Sequence, residues 1–94
     1  MDSNIDEQAL ADLCPEIRAL LDAELAAGGS IRRVDRYPNY GENVIAVDLN
    51  HNFSSIDKAT VPDGVSFHGK DMQVGIGDHF YCTKHDHSIV APFR

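Results

Sequence analysis

LADLCPEIRALLDAELAAGG, residues 10–29, is the stretch from which the fold is read. Leu10, Leu13, Ile17, Leu20, Leu21 and Leu25 recur at the i, i+3, i+4, i+7 spacing that lines one side of an α-helix. Asp12, Glu16, Arg18, Asp22 and Glu24 fall mainly on the other faces, and Ala19, Ala23, Ala26 and Ala27 are strong helix formers. Gly28-Gly29 ends the run, because glycine enters the left-handed C-cap conformation without a Cβ clash. Pro15 removes a backbone donor and disfavours helical geometry at Cys14. The pattern predicts a short helical turn over about residues 5–12, a break at Cys14, and a main helix over 15–27 with proline in its first turn. A continuous helix kinked at Pro15 is the alternative.

Outward from the helix the apolar pattern turns to strands. Residues 31–37 read as a first strand and Pro38-Asn39-Tyr40-Gly41 as a turn. Residues 43–49 give the clearest strand, with Ile45, Val47 and Leu49 on one face and Val44, Ala46 and Asp48 on the other. A connection through Asn50-His51-Asn52-Phe53 runs to the turn Pro62-Asp63-Gly64, followed by a short strand at 65–68. Met72, Val74 and Ile76 alternate with Gln73, Gly75 and Gly77, whose glycines weaken any strand there. Residues 79–84 and 88–93 form a closing hairpin tipped by Lys84-His85-Asp86-His87, and Pro92 marks its second arm as an edge. A helix followed by sequential strands predicts an α+β fold. In it, the N-terminal helix packs on one face of a small antiparallel meander of about four to five strands. Ninety-four residues make one domain, 1–94, since halves of that length would be too small to fold without staples.

The net charge of −7 is uneven. Residues 1–30 hold seven acids against Arg18 alone, whereas residues 31–94 are close to balance with eight acids and seven bases. Such a helical face repels a phosphate backbone and attracts a basic protein partner, so nucleic acid is excluded as the expected ligand. No stretch approaches the ~18 apolar residues of a membrane span, and the opening MDSNIDEQAL lacks the basic and apolar regions of a signal peptide. Cys14 and Cys82 can form one disulfide, but two cysteines are no framework, and the expected compartment is the reducing cytoplasm.

The densest chemistry lies at DHFYCTKHDH, residues 78–87. His79, Cys82, His85 and His87 are the candidate metal ligands, with zinc the expected ion if one binds, because zinc takes three or four converging nitrogen and sulfur donors. Strand parity puts His79, His85 and His87 on one side and Cys82 on the other, unless the turn twists it back. The spacing matches no standard zinc framework, and His51 or His68 would complete a site only if the fold brings them close. Cys82 with a histidine is also a nucleophile pair on paper, but no oxyanion hole is visible beside it. Gly75-Ile76-Gly77 lacks the third glycine and following helix of a phosphate loop. Arg32, Arg33 and Arg36 are the basic cluster, expected to pair with helix carboxylates or to guard an edge strand.

Three stretches carry a resemblance: LCPEIRALLDAELAAGGSI (13–31), ENVIAVDLNHNF (42–53) and SIVAPFR (88–94). Together they resemble small bacterial proteins of unknown function with a leading helix and a sheet. The resemblance implies a bacterial cytosolic origin and the same order of elements, and it carries no catalytic residue.

The expected function is a non-enzymatic protein–protein interaction module, of the inhibitor or immunity kind, acting as monomer or homodimer without a cofactor. Its expected surface comprises Asp12, Glu16, Asp22 and Glu24 of the acidic helix with Tyr37 and Tyr40 at the first turn. The alternative is a metal- or small-ligand-binding domain built on the C-terminal histidine and cysteine cluster.

Overall fold

Proline at position 15 does what its chemistry predicts. In the computed structural model, which describes residues 4–92, helix α1 spans Glu7–Ala11 and helix α2 spans Pro15–Ala26. Cys14 between them is extended (φ −66°, ψ 158°) and caps α2, its carbonyl accepting the first helical hydrogen bond from Arg18 at 2.9 Å. Asp6 caps α1 by accepting the Ala9 N–H at 3.0 Å. The two helices are separate rather than one kinked rod.

Strands β1 (Ile31–Arg36), β2 (Val44–Leu49), β3 (Val65–His68), β4 (His79–Cys82) and β5 (His87–Val90) form one sheet in the order β1-β2-β5-β4-β3. The helices and this five-stranded sheet make a small α+β fold. The expected meander is corrected in one respect: β5 inserts beside β2 in parallel, with Ile45 level with Ile89, while the other pairs are antiparallel. β5 is therefore central, not an edge, and Pro92 is tolerated because it lies beyond the last strand residue, Val90. Residue 93 of the expected closing strand lies outside the described residues. The expected weak strand over 72–76 is a turn held by an isolated bridge between Asp71 and Ile76.

β1 is one outer strand, and the chain's own N-terminal segment lies against it. The Val34 N–H donates to Asn4 O and the Asp6 N–H donates to Val34 O, each at 2.9 Å. This pairing covers part of an edge that would otherwise offer unpaired groups to another chain.

The inner face of the sheet presents Val34, Ile45, Val47, Leu49, Phe80, Cys82 and Ile89, all buried against Leu13, Ile17, Leu20 and Leu21. Fully burying each large aliphatic or aromatic side chain contributes about 1.5–3 kcal/mol. Leu25 departs from the expected stripe and is 44% exposed. Glu24, two turns after Ile17, takes the inward position, where His51 Nε2 meets its carboxylate at 2.8 Å. The connection from β2 to β3 also supplies core: Phe53 and Ile56 are buried, with the Phe53 ring 5.6 Å from that of Phe80. Phe67 packs on the same ring at 5.1 Å, and Lys58 Nζ lies 3.7 Å over the Phe67 ring.

Arg36 at the end of β1 pairs with Asp12, tying the α1–α2 junction to the sheet. That guanidinium holds the Asp12 carboxyl below its ordinary range.

Two outcomes follow from this packing. Phe80→Ala removes the ring shared by Phe53 and Phe67, and urea denaturation should show a loss of about 3–5 kcal/mol; a loss under about 1 kcal/mol contradicts the packing. A carboxyl depressed in the folded state stabilises above its unfolded value, roughly pH 4, and that contribution disappears as pH falls through the folded value. The urea midpoint of metal-free protein should therefore drop as pH falls below about 4, and Asp12→Asn should flatten the drop. Parallel pH profiles for the two proteins contradict the role of the pair.

Candidate metal centre

The break at Cys14 determines where α2 begins, and the first turn of α2 meets the end of β4. Cys14 sits at the cap and Glu16 one residue inside the helix after Pro15. Cys82 is the last residue of β4, and His85 lies in the turn 83–86 that joins β4 to β5. One donor atom from each of Cys14, Glu16, Cys82 and His85 lies within 4.8 Å of all the others. Two sulfurs, one carboxylate oxygen and one imidazole nitrogen thus converge from segments 66 residues apart.

The turn is held in place to do this. The Thr83 N–H and hydroxyl both donate to Gly64 O, at 2.9 and 3.1 Å. Asp86 adopts a left-handed backbone (φ 51°), and its carboxylate accepts the Tyr81 hydroxyl at 2.9 Å. The chain leaves extended geometry directly after Cys82, and the turn over 83–86 brings His85 back against Cys82, which simple strand parity sets on opposite sides.

Within the cluster, His85 Nδ1 is 2.9 Å from Glu16 Oε2 and 3.8 Å from Cys82 Sγ. The Cys82 thiol donates to Glu16 Oε2 at 3.7 Å. The Glu16 carboxyl is held below its usual range, first by its own backbone N–H at the helix start, then by the neighbouring His85 and Cys82 against the opposing effect of burial. Burial pushes the Cys14 thiol up, and Cys82 and Glu16 add to that.

A catalytic cysteine–histidine–carboxylate relay uses the two imidazole nitrogens separately, one for the nucleophile and one for the orienting acid. Here a single nitrogen, Nδ1, faces both Cys82 and Glu16. Cys82 is moreover 0% exposed, out of a substrate's reach. The geometry is one of four donors facing a common centre rather than of a relay.

Of the residues singled out in sequence, Cys82 and His85 come together here. His79 lies on the other face of the sheet, its ring stacked on His68 at 5.0 Å and its Nδ1 3.1 Å from Gly77 O. His87 pairs across from Cys82 on the cluster's face but is not one of the four, and its buried Nδ1 has no hydrogen-bond partner among the described residues. His51 is engaged by Glu24. Cys14 and Glu16 were not read as ligands in sequence. The signal that could have found them is the pairing of Cys-x-Glu at 14–16 with Cys-x-x-His at 82–85.

The residues of the expected interaction surface are placed as follows. Asp12 faces Arg36, Asp22 faces Arg18 at 3.3 Å, Glu16 faces His85 and Glu24 faces His51. Tyr37 and Tyr40 stack with centroids 4.7 Å apart beside Ala46 and Val90 on the outer face of the sheet, and the Tyr40 hydroxyl donates to Gly75 O. A cleft of about 460 Å³, lined by Arg32, Asp48, His51, Lys70 and Asp78 among others, shares no residue with the four-donor cluster. Among the described residues, no helix is long and apolar enough to cross a membrane.

Comparison with protein-family models, with curated proteins and with solved structures finds no match to this chain.

Proposed function

We propose that this protein is a metal-binding domain that holds one zinc ion through Cys14, Glu16, Cys82 and His85. The observation that carries the reading is the convergence of those four donor atoms within 4.8 Å of one another. The donor set suits zinc: two thiolates, an imidazole and a carboxylate match its borderline softness and its four-coordinate preference. Hard cations such as calcium or magnesium would want six or more oxygens instead.

Four protein ligands leave no open position for substrate, so the metal is structural rather than catalytic. Bound there, it would clamp the start of α2 to the end of β4 and fix the turn 83–86. An acidic docking helix is the weaker reading, because Asp12, Glu16, Asp22 and Glu24 each already face a cationic or imidazole side chain of this chain.

Binding requires thiolates, so zinc uptake expels thiol protons, including that of Cys14, which burial keeps on the sulfur. Affinity should therefore rise as pH rises through the neutral range. Tag-free protein mixed with zinc and passed through a desalting column should carry about one ion per chain by elemental analysis. Zinc at about a hundred times its Kd should raise Tm by about 10 °C or more, and a chelator should reverse the shift. His85→Ala should weaken zinc binding by more than about 100-fold, beyond the cost of losing a residue that merely supports a ligand, while His79→Ala leaves it unchanged. Less than about a tenth of an ion per chain with no thermal shift, or equal losses in the two variants, contradicts the assignment.

A further inference from the structure

We propose that Cys14 and Cys82 are an oxidant-responsive pair whose reversible closure into a disulfide, driven by a hydroperoxide, ejects the metal. This rests on the zinc reading above and adds its regulation.

The two thiols are the chain's complete cysteine complement, both are free, and their sulfurs lie within the same 4.8 Å. Each is therefore the other's intrachain partner. A disulfide needs the sulfurs at about 2.05 Å, so closure requires a movement of under about 3 Å. The backbone positions suit such a movement. Cys14 is a cap residue whose carbonyl joins the helical ladder while its φ and ψ are extended, and Cys82 is the last residue of its strand. Cys82 is 0% exposed and Cys14 5%, and the His85 side chain beside them is 46% exposed, so Cys14 is the sulfur offered to a small oxidant and Cys82 the one that resolves it.

The chemistry balances with a hydroperoxide as the oxidant. The Cys14 thiolate attacks the distal peroxide oxygen; the O–O bond breaks, a sulfenic acid forms and hydroxide (or alkoxide) leaves. The second thiolate attacks that sulfenic sulfur; the S–S bond forms, the S–O bond breaks and a second hydroxide leaves. The sulfurs give up two electrons in total, the peroxide takes both, and zinc departs unchanged in charge. With both thiolates consumed, Glu16 and His85 alone make half a coordination shell and do not retain the ion. A dithiol reductant returns the pair to its binding form.

The test uses the reduced, zinc-loaded full chain. Loading is measured first, so a protein that takes up no zinc overturns the metal reading before any oxidant is added, and the release step with it. Hydrogen peroxide is then added in slight excess, with released zinc followed by a chromogenic chelator and the protein by intact mass and peptide mapping. The expected result is release of about one ion per chain, in step with loss of two hydrogens and a Cys14–Cys82 cross-link, all reversed by dithiothreitol. His79→Ala keeps all four donors and should release zinc and form the cross-link as the parent chain does, whereas Cys14→Ser should not lose the two hydrogens. Zinc retained throughout, zinc released with sulfinic acids or interchain dimers in place of the cross-link, or no cross-link in His79→Ala overturns the proposal.

Discussion

Helical geometry is disfavoured at Cys14 because Pro15 follows it, and from that one steric constraint the positions of the core and of the four clustered donors both follow. Cys14 must be extended, so α2 starts at Pro15 with a capping residue turned toward the end of β4. Ile17, Leu20 and Leu21 then fall on the face that meets Phe80 and Ile89, and Glu16 falls beside His85.

Much of the local structure was legible because it is decided by nearest neighbours. The proline break, the glycine stop after α2 and the alternation that buries Ile45, Val47 and Leu49 are all short-range signals, and the structure follows them. Strand order is not short-range. Alternation reports which face a residue occupies but not which strand lies beside it, and nothing in residues 87–90 announces that they pair in parallel with β2. Phe53 and Ile56 were invisible as core for a related reason: they sit in an irregular connection with no period to read.

The cluster was half legible. Cys82 and His85 lie three residues apart in a stretch crowded with histidine, and their neighbourhood invited a metal reading. Which histidines face inward depended on the turn over 83–86, whose reversal parity counting along an extended chain does not contain. Cys14 and Glu16 looked like a helix break and a surface acid, because their partners are 66 residues away. The same distance conceals the charge arrangement. The N-terminal third is acidic in sequence, yet four of its carboxylates face Arg18, Arg36, His51 and His85, so that the excess charge is less a free docking surface than one half of several internal pairings.

Surface pairs of this kind add little individually, whereas a metal bound by ligands from both ends of the chain stabilises the folded state by its full binding linkage. What would join α2, β4 and the turn 83–86 is therefore the proposed coordination, and X-ray absorption at the zinc edge of the loaded protein reads it directly. Two sulfurs at about 2.3 Å and two nitrogen or oxygen donors at about 2.0–2.2 Å are the predicted shell. A shell of nitrogen and oxygen alone, with no zinc–sulfur distance, would contradict it.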